Sequence, residues 1–152
     1  MRADEVIAKL VARAETVATC ESLTGGLIGG ALTAVPGSSA VVRGGLITYA
    51  TALKIALAGV DPELIARHGV VSAPVARAMA EGARRVCQAN WGIGVTGVAG
   101  PGPADGVASG TVWVSVSGAK TATVRLQAPG DRAAVRSRVV QAGLDLLGEL
   151  LG

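Results

Sequence analysis

The 152-residue chain has no phenylalanine, two tryptophans and a single tyrosine, Tyr49. A nucleic-acid surface of stacked aromatics is therefore excluded. Basic residues are scattered apart from Arg84-Arg85 and the set Arg132, Arg136 and Arg138, and the net charge of +3 is too mild to suggest a nucleic-acid partner. There is one histidine, His68, and there are two cysteines, Cys20 and Cys87. These three side chains cannot easily supply a structural zinc site, and no metal is expected. Both cysteines are expected as reduced, buried thiols of a cytoplasmic protein. Glycine, proline or charge interrupts every apolar run short of a membrane span. The opening "MRADEVIAKL" carries acids and does not read as a signal peptide. A soluble chain with no membrane partner is expected.

What is present is small and apolar. Half the residues are hydrophobic, nearly all of them Ala, Val, Leu or Ile. Such side chains suit helices packed closely on a sheet, and the length fits a single domain over 1–152. Val6, Ile7, Leu10 and Val11 fall at helical spacing within 3–14. "ETVATC" (15–20) reads as a buried strand, and 23–34 as a helix with glycine on a packing face. "VPGSS" (35–39) is a turn, 44–50 a strand and 51–59 a short helix. Asp61 and Ser72 are expected to cap helices over 61–69 and 72–89. A strand at 91–97, a glycine-rich loop at 98–110 and a hairpin of strands 111–118 and 120–128 follow. Asp131 opens a last amphipathic helix to about Leu151. Strands separated by helices imply parallel pairing, and the hairpin adds antiparallel strands. The expected fold is α/β, with a mixed, partly parallel sheet between helices on both faces.

Three strands end in polar residues. The first delivers Glu21, Ser22 and Thr24, the second Thr48 and Tyr49 with Lys54 about one helical turn later, and the third Thr96. In open α/β sheets ligands bind beyond the carboxyl ends of strands, so these residues are expected to share one crevice. Ser22 precedes Thr24, Gly25 and Gly26 at an expected helix start, whose free amides suit a phosphate or an oxyanion. The same residues also fit a plain helix cap with close helix–sheet contact. A serine nucleophile needs a base. His68 lies at a helix end, where a dipole role explains it, and no G-x-S-x-G elbow exists. Lys54, flanked by Leu53 and Ile55, is the other candidate, because a desolvated lysine loses its proton more readily; an exposed surface lysine is the competing account. Tyr49 could relay a proton or fill space. "GVTGVAGPGPADG" lacks the lysine of a phosphate-binding P-loop, but its backbone can wrap a ligand or form a surface loop. Arg132, next to the helix-opening Asp131, sits unfavourably with the helix dipole unless an anion is near.

The stretches "ESLTGG", "VPGSSAVVRGGLITYA", "LKIALAGV", "HGVVS", "VARAMAEGARR", "GVTGVAGPG", "GTVWVSV" and "GDRAAVR" together resemble the CinA C-terminal domain family. They cover essentially the whole chain in the family's order. The family's stand-alone members include nicotinamide mononucleotide deamidases. The resemblance implies a three-layer α/β/α sandwich, a homodimer, no cofactor and no metal. It implies hydrolysis of the carboxamide of nicotinamide mononucleotide to nicotinic acid mononucleotide and ammonia, a salvage step in pyridine-nucleotide cycling. Carried onto this sequence, Ser22 is the nucleophile, Lys54 its base and Tyr49 an assistant. Thr96, Gly97 and Gly100 line the nucleotide site, and Arg132 meets the phosphate. Amides near Gly25 and Gly26 hold the oxyanion or the phosphate, with Thr24 beside them. Glu21 orients Lys54 or the ribose. The chain departs from the family's pattern at Leu23, where many members have cysteine, and at "ATAL" (50–53), which lacks the usual polar residues. Its loop after "GPG" is also short. A non-catalytic nucleotide- or partner-binding module is the other reading of the same residues. The nucleotide-processing domain of full-length CinA proteins is not in this sequence, and no pyrophosphatase activity is expected of it.

Overall fold

A computed structural model describes every residue from Met1 to Gly152. The most apolar runs become β1 (Val17–Glu21), β3 (Trp91–Gly97) and β4 (Thr111–Ser117). They form the middle of a five-stranded sheet of order β2-β1-β3-β4-β5, with β2 (Val42–Ile47) and β5 (Ala122–Gln127) at the edges. β1 runs parallel to β2 and β3, while β3–β4 and β4–β5 are antiparallel. The sheet is therefore mixed, as the element order predicts.

α1 (Ala3–Arg13), α2 (Leu27–Thr33) and α6 (Arg132–Leu151) cover one face. α5 (Ala73–Cys87) covers the other, with α4 (Pro62–His68) packed on α5 and the short α3 (Thr51–Ala56) following β2. Successive strand residues point to opposite faces. Val17 accordingly joins the cluster of Leu10, Leu32 and Leu147, whereas Ala18 and Cys20 join Val75, Met79 and Ala83. Each fully buried Val, Leu or Met contributes roughly 1.5–3 kcal/mol. The small residues of β3 set how closely α5 approaches. A Cβ at Gly94 would strike the Ala76 carbonyl oxygen and the Ala80 amide, so the helix lies almost on the strand backbone. No helix is long and apolar enough to cross a membrane.

The helix caps mostly follow the sequence. The Asp61 carboxylate accepts from the Glu63 amide at 2.9 Å, and that of Asp131 from the Ala134 amide at 2.9 Å. Ser72 differs: it stands at the N-cap of α5, but its hydroxyl donates to the Gly69 carbonyl at 2.9 Å. The larger departure is after β1. Ser22–Gly26 form turns rather than a helix, and α2 begins only at Leu27. Gly25 and Gly26 have φ of +56° and +102°, backbone that glycine adopts without a Cβ penalty. The glycines therefore delay the helix.

Candidate active site

The carboxyl ends of β1, β2 and β3 open on a cleft of about 250 Å3. Ser22, Tyr49, Lys54, Thr96, Gly97, Gly100 and Arg132 line it: the three strand ends converge as strand topology predicts, and the start of α6 joins them. Glu21, Thr24, Gly25 and Gly26 do not line it.

Lys54 is at the bottom. The side chain is only 2% exposed, although it sits on a six-residue surface helix. Its Nζ reaches Ser22 Oγ at 2.9 Å, the Thr48 carbonyl oxygen at 2.7 Å and the Tyr49 carbonyl oxygen at 3.3 Å. No carboxylate hydrogen-bonds to it. Burial therefore lowers its pKa from 10.5, against smaller opposing effects of Cys20 and Asp105. The arrangement suits a neutral amine: two N–H groups go to the two carbonyls, and the lone pair is left for the Ser22 hydroxyl proton. When Nζ is an ammonium, the third N–H donates to Ser22 Oγ instead. Cys20 lies behind, its thiol 3.4 Å from Thr48 Oγ1 and pushed up to about 11 by burial. Cys87 is also free but half-buried rather than buried.

Tyr49 is split between two partners. Its carbonyl accepts from Lys54, whereas its exposed ring carries the hydroxyl away to Arg132 Nη2 at 3.1 Å. Arg132 also donates through Nη1 to the Gly100 carbonyl at 2.8 Å. One guanidinium thus ties β2's end, the loop after β3 and the start of α6 together at the mouth. Thr96 faces the cleft but donates its hydroxyl to the Val70 carbonyl at 2.9 Å, pinning the loop between α4 and α5. Gly97 is held by space: a Cβ there would meet Val112.

Glu21 neither orients Lys54 nor faces the cleft. Its buried carboxyl group accepts from Thr24 Oγ1 at 2.6 Å, the Ile28 amide at 2.9 Å, the Gly29 amide at 3.0 Å and Thr19 Oγ1 at 3.1 Å. It satisfies the first free amides of α2, and Thr24 is consumed in the same network. The Gly25 amide donates to the Ser22 carbonyl at 3.1 Å, and Gly26 lines a separate groove beside Glu21. Neither glycine therefore offers an amide to the cleft. Free amides do exist there: the N–H groups of Leu23 and Ala99 face no acceptor in the protein.

Two residues escaped the sequence reading. Arg136 donates to the Leu23 carbonyl at 2.9 Å and so holds the turn that carries Ser22; its place one turn after Arg132 was the available signal. Asp105 lines the cleft from the tip of a tight turn, and the Asp-Gly pair within "PADGV" was the cue. The altered segment 50–53 places Thr51 at the cleft. No three side chains among His, Cys, Asp and Glu lie together so as to hold a metal ion.

An α/β/α sandwich with a buried lysine on a serine at the strand ends defines the class. The profile of the family described as "CinA C-terminal domain" matches residues 1–151. The chain is 51% identical over 146 residues to a "CinA-like protein" of Anaeromyxobacter dehalogenans, covering 95% of this chain and 36% of that one. It is 44% identical over 147 residues to a "CinA-like protein" of Frankia casuarinae, covering 96% and 34%. It thus spans about a third of the length of these curated relatives. Among solved structures, the competence/damage inducible protein CihA from Agrobacterium tumefaciens superposes with a TM-score of 0.93 at 35% identity, covering 97% of this chain and 92% of that chain. The competence or damage-inducible protein from Enterobacter asburiae gives 0.94 at 30% identity, covering 100% and 99%. The chain belongs to the CinA C-terminal domain family.

Proposed function

We propose that the chain is an amidase that hydrolyses the carboxamide of nicotinamide mononucleotide to nicotinic acid mononucleotide and ammonia. The 2.9 Å contact between Lys54 Nζ and Ser22 Oγ, buried and without a carboxylate partner, carries the reading. Ser22 Oγ attacks the carboxamide carbon as its proton passes to Lys54 Nζ. The carbonyl π electrons move to oxygen, and the Leu23 and Ala99 amides, which have no acceptor in the protein, are the donors for that oxyanion.

 The tetrahedral intermediate collapses as Lys54 returns the proton to the departing nitrogen, and ammonia leaves. Water then attacks the acyl-serine with Lys54 as base again. Ser22 regains its proton, and the new carboxylate is released. Arg132 at the mouth is the partner for the phosphate, and Thr96, Gly97 and Gly100 form the nucleotide wall. Tyr49 supports the site through its carbonyl on Lys54 and its hydroxyl on Arg132.

The test is ammonia release from nicotinamide mononucleotide by the purified protein, beside Ser22→Ala. Release lost in the variant supports both reaction and nucleophile. Release that survives in Ser22→Ala keeps the reaction and removes the nucleophile. No release by the folded wild type leaves a non-catalytic nucleotide-binding module.

A further inference from the structure

We propose that Asp105 is a specificity-determining residue that selects substrates whose amide-bearing ring carries a positive charge. The proposal rests on the amidase reading and deepens it.

The cleft contains the Lys54 amine and the Arg132 guanidinium, and Asp105 is the sole acid lining it. The Asp105 carboxylate has no hydrogen-bond or ion-pair partner in the protein; the ion pairs are Met1–Asp145, Arg2–Asp4 and Arg13–Glu15. Its position is fixed by the backbone. Ala104 and Val107 exchange both main-chain hydrogen bonds, at 3.1 and 2.8 Å, around a two-residue turn. Asp105 and Gly106 have φ of +51° and +72°, the doubly left-handed turn that Asp-Gly favours. Turn chemistry explains an aspartate at this position. It does not require that the carboxylate line the cleft unpaired. Asp105 is also near enough to Lys54 for its charge to favour the protonated amine.

The ring of nicotinamide mononucleotide is an N-alkylated pyridinium, a cation conjugated to the carboxamide. Lys54, neutral as the base, and Arg132 suit its carboxamide and phosphate, but the Arg132 guanidinium repels the ring. An unpaired carboxylate on the same wall offsets that repulsion. The reduced mononucleotide has a neutral dihydropyridine ring with the same carboxamide, ribose and phosphate, and gains nothing from Asp105. The residue therefore distinguishes oxidised from reduced pyridine mononucleotides.

The experiment measures binding of both mononucleotides by calorimetry to Ser22→Ala and to Ser22→Ala/Asp105→Asn, with ammonia release by the wild type alongside. Ser22→Ala should prefer the oxidised form, and Asp105→Asn should cut that preference about fivefold, the scale of a solvent-exposed charge pair. An unchanged preference, or equal weakening of both ligands, overturns the role of Asp105. Charge-selective binding without ammonia release leaves Asp105 in place and removes the amidase. Ammonia release with a preference indifferent to Asp105 does the reverse. Failure to bind either mononucleotide overturns both.

Discussion

Lys54 Nζ stands 2.9 Å from Ser22 Oγ, and its other two contacts are main-chain carbonyls. A buried amine with only neutral partners gives up its proton more easily than a solvated one, and its pKa is lowered from 10.5. If it is the base, only the deprotonated form is active. The rate of ammonia release should rise with pH and level off below 10.5. Lys54→Met should lose about 10²–10⁴-fold in kcat and with it the rising limb. A variant that kept both would remove Lys54 from the chemistry.

The same lowered pKa has a stability consequence of definite sign. Unfolding returns Lys54 to water, where it binds its proton more tightly. Between the folded pKa and 10.5 the unfolded chain holds more protons, so stability rises with pH across that window. Below the folded pKa the penalty is present in full and constant. Lys54→Met removes the titrating group. The urea midpoint of the wild type, measured relative to that variant, should climb as pH is raised toward 10.5. A constant difference would show that the amine does not titrate differently on folding.

Tyr49 touches Lys54 through its carbonyl and Arg132 through its hydroxyl. Tyr49→Phe keeps the first contact and deletes only the second. It should therefore leave kcat within about threefold and raise KM, as expected when an exposed contact of modest worth is lost. A fall in kcat of a hundredfold or more would instead make the hydroxyl a proton relay.

The fold and the site differ in how far the sequence revealed them. Strand–helix alternation, Asp61 and Asp131 as caps, and the hairpin after "GVASG" follow from local chemistry, and the structure has them. The convergence of Ser22, Tyr49, Lys54 and Thr96 followed from strand topology, whereas Arg132 was placed there by the family resemblance alone. The direction of individual side chains did not. Glu21 and Ser22 are adjacent, yet one meets α2 and the other Lys54. A one-residue difference at the end of a strand decides which face a side chain joins, and a pattern of residue types does not specify where the strand ends. Tyr49 divides its contacts for a related reason: its backbone and ring serve different neighbours. The two glycines after Thr24 read as part of a helix over 23–34, and their left-handed φ instead holds them in a turn before it.

That difference between Glu21 and Ser22 predicts opposite phenotypes for neighbouring residues. Ser22→Ala removes a hydroxyl at the cleft and should abolish turnover with little change in stability. Glu21→Ala removes the acceptor of two amides and two hydroxyls inside the protein. It should cost about 3 kcal/mol or more, because those donors have no water to turn to. Glu21→Gln separates the roles further. Its amide oxygen can serve one side of the network, but its NH2 group confronts either the Ile28 or the Gly29 N–H, and a main-chain donor cannot reverse. That mismatch should cost roughly 1–2 kcal/mol in urea denaturation. Below the midpoint the folded fraction should keep its KM, since Glu21 does not line the cleft. Unchanged stability with a KM raised tenfold would place Glu21 at the substrate, where its residue type alone suggested it.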